Sequence, residues 1–123
     1  MSFESFEELE VYKKARSFRK DIASFCKNLS PDEKYRLKDQ MIRASRSVTN
    51  QIAEGYGRFH YQENIQFCRI ARGSLEEVHE HLNICMDENY ITETEYQKLI
   101  NQKTEVRRLI NGYINYLNRA KRS

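Results

Sequence analysis

Between Tyr61 and Glu88, the residues Cys68, Ala71, Leu75, Val78, Leu82 and Cys85 follow one another at strictly alternating steps of three and four. That spacing draws one narrow apolar stripe along a helix, and a stripe this long must be covered by other helices. Because its side chains are small to medium, the partners must lie close. Three further segments carry similar stripes. The first holds Tyr12, Ala15, Phe18, Ile22, Phe25 and Leu29. The second holds Leu37, Met41, Ala44, Val48 and Ile52. The last holds Tyr96, Leu99, Lys103, Val106, Ile110, Tyr113 and Leu117, with Lys103 as its one break. The spacing predicts helices over about 7–27, 31–54, 61–88 and 93–119.

Local signals place the joints. Ser30-Pro31-Asp32-Glu33 reads as a capping box with proline at the first helical position, where its missing N–H costs nothing. Gly55 is expected to end the second helix in the left-handed conformation, and Tyr56 to His60 to form a short connection. Thr92 with Glu95 three residues later caps the last helix. Four helices joined by short loops bury their stripes by packing antiparallel, so the expected fold is all-α, an up-down-up-down four-helix bundle forming one domain over residues 1–123. Phe6, Leu9, Val11, Ile42, Ile65, Phe67, Ile70, Ile84, Ile100, Leu109, Ile114 and Tyr116 lie beside or outside the stripes, a surplus that points to a subunit interface.

Composition narrows the class further. One proline and four glycines suit a helical chain and argue against an all-β one. No apolar run approaches the roughly 18–20 residues that span a bilayer, and the acidic start is no signal peptide, so the chain reads as soluble and cytoplasmic, without a membrane partner. Cys26, Cys68 and Cys85 are odd in number and widely spaced, which suggests buried free thiols rather than disulfides or a zinc site.

The most distinctive stretch joins the second and third helices. In Gln51-Ile52-Ala53-Glu54-Gly55-Tyr56-Gly57-Arg58, the glycines permit a tight reversal and Glu54 can pair with Arg58 across it. Gly73, in the interior of the third helix, suggests that another backbone approaches there, with Ser74 beside the contact. Together with Gln40-Met41-Ile42-Arg43-Ala44-Ser45-Arg46, Ala71-Arg72-Gly73-Ser74-Leu75-Glu76-Glu77 and Phe6-Glu7-Glu8-Leu9-Glu10-Val11-Tyr12, this stretch resembles the four-helix-bundle family encoded in intervening sequences of bacterial 23S rRNA genes. The resemblance implies a ring-like homopentamer around a central channel, no established catalysis, and a distant relation to the accessory variability determinant protein of diversity-generating retroelements, which binds nucleic acid and a reverse transcriptase. Where that family has Asn before Ile-Ala-Glu-Gly, this chain has Gln51, preceded by Asn50.

Two functional readings follow. Formal net charge is +3, and Lys34, Lys38, Arg43, Arg46, Arg58, Arg69, Arg72, Arg107 and Arg108 are candidate phosphate contacts, with Arg36, Arg119, Lys121 and Arg122 enriching the same regions. Tyr56, Phe59, His60 and Tyr61 are candidates for stacking on bases. Those residues describe an oligomeric, RNA-binding accessory protein, with DNA as a further possible ligand. The alternative is a structural or protein-interaction scaffold whose basic surface serves solubility. An enzyme is the weakest reading. Glu76 and His79 have the Glu-x-x-His spacing of carboxylate-bridged metal bundles, but the motif occurs once and points away from the core centre. His79 and His81 face different sides of the helix, and the cysteines fall on the apolar seam. Neither a metal nor a cofactor is expected.

Overall fold

The computed structural model describes residues 4–29 and 34–122 and consists of a single 3-10 turn, Phe6–Glu8, followed by α1 (Glu10–Cys26), α2 (Lys34–Gly57), α3 (Tyr61–Asp87) and α4 (Glu93–Arg122). The expected capping box at Ser30 to Glu33 lies outside the described residues. The first helix starts later than periodicity suggests. Ser5 caps the 3-10 turn by accepting the Glu7 N–H at 3.1 Å, and Leu9 then takes an extended conformation before α1 begins. The break lets Leu9 enter the core while Phe6 folds back, its ring edge-on to Tyr12 at 4.8 Å.

Each helix packs on its neighbours in sequence, α1 closes onto α4, and the backbones of the diagonal pairs do not approach closely among the described residues. Contacts between side chains fix the direction. The start of α3 meets the end of α4 where Lys121 Nζ donates to Gln62 Oε1 at 2.7 Å, and Tyr96 OH donates to Asn83 Oδ1 at 2.6 Å near the other end. Arg19 of α1 reaches Thr49 of α2 at 3.0 Å, and Gln102 of α4 reaches Asp21 of α1 at 2.6 Å. The chain is therefore an up-down-up-down four-helix bundle. Its core holds the predicted α3 stripe in full, joined by Phe18, Ile22, Met41, Val48, Ile52, Leu99, Ile110 and Leu117. Much of the apparent apolar surplus is also interior: Leu9, Val11, Ile65 and Ile114 are buried, and Phe6, Ile42, Ile100 and Leu109 pack against the core. Ile70 and Tyr116 remain half exposed. No described helix is long and apolar enough to cross a membrane.

The glycines behave differently from expectation. α2 runs through Gly55 to Gly57, and no glycine has a positive φ. The left-handed residue that ends α2 is Phe59, at φ 54, with its N–H directed to Tyr56 O at 3.4 Å. For a residue with a Cβ that conformation costs about 1–2 kcal/mol. Gly55 serves closeness instead. A Cβ placed there would stand 2.7 Å from Asn64 Oδ1 and 2.9 Å from Phe67 Cβ, so the glycine is what lets α3 approach just after the turn. Gly73, predicted to mark a close backbone approach, faces open space: a Cβ there would find nothing within 4 Å. At the far end of α3, Asn89 takes the left-handed position at φ 61, and Tyr90 N–H closes onto Cys85 O at 2.8 Å, a Schellman ending. Thr92 caps α4 as predicted, accepting the Glu95 N–H at 3.1 Å.

Candidate nucleic-acid interface

The outer side of the α3 and α4 pair gathers several of the predicted basic residues. Lys121 joins Gln62, and ten residues further along α3, Arg72 Nη1 donates to Asn111 Oδ1 at 2.6 Å, ten residues back along α4. Between these two bonds stands Arg69, exposed and seven residues from Gln62, hence on the same side of α3. Arg107 and Arg108 continue the exposed cations along α4. Gly73, next to Arg72, is exposed, and a Cβ there would meet nothing within 4 Å, whereas Gly112 follows Asn111 on the other side of α4 and lines the groove toward α1. The face is thus basic, suited to the approach of an extended polyanion.

Not every cation there is equally available. Arg108 makes two bonds to Glu105, at 3.1 and 2.7 Å, and that pairing holds the half-exposed Glu105 carboxyl below its ordinary range. Arg69 carries no ion pair among the described residues. The remaining predicted cations lie elsewhere. Arg43 pairs with Asp39 at 3.4 Å and borders a groove of about 530 Å³ between α2 and α3, with Ser47, Ser74, Glu77 and His81. Arg46 is exposed on α2. Lys38 is half-buried, and its charge is felt at Cys26. Lys34 begins α2, and its side chain lies outside the described set. Arg58 sits at the turn, paired with Glu54 at 3.1 Å as the sequence suggested, with its guanidinium 5.1 Å from the centre of the Phe67 ring.

The family-like stretch is structural in its contacts. Ile52 lies in the core, Gln51 and Ala53 are half-buried, and Gly57 is exposed with open space around it. Ser74 bonds Ser47 across α2 and α3 at 2.8 Å. Asn64, buried against Gly55, donates to Tyr113 OH at 3.1 Å and accepts from Cys68 Sγ at 3.6 Å, which ties three helices together where the turn closes. Burial pushes the Tyr113 hydroxyl up to about 12, with Asn64 opposing. Of the four aromatic candidates for stacking, Tyr56 is half-buried and lies 6.5 Å from Phe6, whereas Phe59 is 89 % exposed, Tyr61 is 48 % exposed, and His60 is exposed.

Sequence reasoning missed one polar cluster. Lys103, the break in the α4 stripe, is only 4 % exposed, and its ammonium forms an ion pair with Glu76 and donates to His79 Nδ1 at 3.0 Å. An ammonium has no lone pair, so Nδ1 must accept and the His79 proton resides on Nε2. Burial would raise the Glu76 carboxyl, but the hydrogen bond and charge of Lys103, aided by the charge of Arg107, hold it below its usual 4.5. The Glu-x-x-His pair thus serves a buried cation. Among the described residues, no group of three His, Cys, Asp or Glu side chains is placed to hold a metal ion. All three cysteines are free and buried; burial raises Cys26 and Cys85 to about 11 and Cys68 to about 12, which keeps them as unreactive thiols.

A family model described as 23S rRNA-intervening sequence protein matches residues 7–112. A crystal structure of a protein of unknown function from the S23 ribosomal protein family of Bacteroides thetaiotaomicron VPI-5482 is similar at a TM-score of 0.79 and 25% identity, covering 85% of this chain and 97% of that one. No curated protein sequence matches.

Proposed function

The chain belongs to the family of 23S rRNA-intervening sequence proteins, and on that footing we propose that it is a self-associating accessory protein without catalytic activity that binds RNA through the α3 and α4 face. The observation that carries this reading is the meeting of Arg69, Arg72, Arg107 and Lys121 on one face of the α3 and α4 pair. Sequence separation hid this arrangement: Gln62 and Lys121 are 59 positions apart. A net charge of +3 per chain is modest, but it multiplies with the number of subunits, so a homopentamer, the assembly the resemblance implies, would present a multivalent basic surface. DNA would meet the same phosphate contacts. A scaffold without nucleic-acid binding is favoured by a different observation, the apolar groove of about 410 Å³ that Leu9, Val11, Leu109, Tyr113 and Tyr116 form between α1 and α4.

Binding of a labelled RNA over a range of salt concentrations separates the two readings. An RNA-binding protein shows an affinity that falls steeply with salt. Arg69→Gln combined with Arg107→Gln weakens it and lowers the logarithmic salt slope by roughly 0.7–0.9 for each phosphate that is no longer neutralised. Arg69 is exposed without an ion pair among the described residues and exposed Arg107 only assists Lys103 at Glu76, so the melting temperature should change little. RNA that fails to bind even at low salt leaves the scaffold reading.

A further inference from the structure

Building on the RNA-binding reading, we propose that the turn between α2 and α3 is a stacking platform for the unpaired bases of single-stranded RNA, centred on Phe59 and flanked by Tyr61. Phe59 holds a left-handed backbone, at φ 54, that glycine adopts without penalty. Its ring gives the fold little in return: it is 89 % exposed, and its ring neighbour among the described residues is Tyr56, tilted at 6.4 Å. The contrast with Asn89 is instructive. That residue ends α3 at φ 61 with a side chain suited to the conformation, as an ordinary cap does. A large apolar ring in the same role, held out into water on a backbone it does not favour, is explained by a contact outside the chain.

The surroundings specify the contact. Arg58 precedes Phe59 in the chain, with its guanidinium paired to Glu54 and set over Phe67, and Lys121 reaches the first turn of α3 through Gln62, so the cations begin beside the turn and lead to Arg69 and Arg72. The acidic 3-10 turn carrying Glu7 and Glu8 lies on the other side, beyond Tyr56 and Phe6. A ligand that satisfies both neighbours of Phe59 has flat apolar faces joined by anionic links. Single-stranded RNA has both, since its bases offer open π faces and its phosphates can follow the cations toward α3 and α4. A duplex hides those faces within its stack, so the platform discriminates between the two forms. Phe59 has only two side-chain torsions and a backbone fixed by the helix end, so little freedom is lost when a base stacks on it.

The chain contains no tryptophan, which makes Phe59→Trp a unique fluorescent reporter. We would titrate this variant with a single-stranded RNA of about 12 nucleotides, within the usual range of such sites, and with a blunt duplex of the same sequence. The expected result is quenching of Trp emission by the single strand and not by the duplex. In parallel, Phe59→Gly should weaken single-strand binding by about 5- to 150-fold while the melting temperature stays level or rises, because glycine relieves the backbone. If Phe59→Gly binds like wild type while the Arg69→Gln, Arg107→Gln variant does not, the platform is wrong and the basic face stands. If neither RNA form binds at low salt, both readings fall together. Trp emission that responds to protein concentration and not to RNA would instead assign the ring to a second copy of the chain and overturn the proposal.

Discussion

At the scale of single residues, the glycines separate two kinds of information. Periodicity says which side of a helix a residue occupies, and it places Ala71, Leu75 and Val78 in the core, where they are found. It does not say what stands opposite, so from sequence Gly55 reads as a helix stop and Gly73 as a close approach, while the structure gives the close approach to Gly55. These assignments lead to opposite outcomes on substitution. In Gly55→Ala the new methyl meets Asn64 Oδ1 at 2.7 Å and Phe67 Cβ at 2.9 Å, and Asn64 cannot retreat without releasing Tyr113 and Cys68. A loss of about 1–3 kcal/mol is expected, as for overpacking elsewhere. Gly73→Ala adds its methyl to open space on a helix face and should gain about 0.5–1 kcal/mol. Chemical denaturation of the two variants beside wild type gives both signs in one experiment. A destabilised Gly73→Ala would mean that the open face is occupied in solution.

At the scale of helices, the stripes are legible in the sequence and the ends are not, because ends depend on contacts from outside the element. The first helix begins at Glu10 rather than near Glu7 since burying Leu9 and folding Phe6 onto Tyr12 outweigh three residues of helical bonding. Lys103 stands out in the sequence as a break in the stripe, but its partners on α3 lie at a register that periodicity alone leaves open. Those partners make the α3 and α4 packing sensitive to acid. The folded state holds the Glu76 carboxyl below 4.5, so its pairing with Lys103 contributes stability above the unfolded value and loses it as pH falls through the lower folded one. Glu76→Gln leaves a buried ammonium without its anion. Because the Glu76 side chain is 43% exposed, solvent softens the loss to about 1–3 kcal/mol at neutral pH. Melting curves of wild type and Glu76→Gln should therefore differ most near pH 7 and converge as pH drops below 4.5. A gap that persists at full size to strongly acidic pH would mean that the ion pair contributes nothing.

At the scale of the whole molecule, the remaining exposed apolar surface is unevenly placed, and its placement bears on assembly. The groove between α1 and α4 is walled by Leu9, Val11, Leu109, Tyr113 and Tyr116, with Glu10 and Arg108 at its margins. Half-exposed Ile70 stands on α3, away from that groove. A cleft on one face and apolar projections on another favour contacts between unlike surfaces, and such contacts close into rings or run on as filaments. A symmetric dimer would instead place the same patch against itself. Light scattering should accordingly report a particle several times the mass of one chain, five times for the assembly proposed above. Leu109→Glu tests the groove directly. The residue packs against the core from its edge and keeps contact with solvent, so the monomer should tolerate the substitution, whereas an interface that buries the groove would trap an unpaired charge. Dissociation to a folded monomer with unchanged helical circular dichroism is the expected result. It would also lower RNA affinity more than the loss of one leucine explains, since separated chains forfeit the multivalent basic surface. An intact assembly in Leu109→Glu would place the subunit contacts on another face, and a wild-type monomer would remove multivalency from the account of binding.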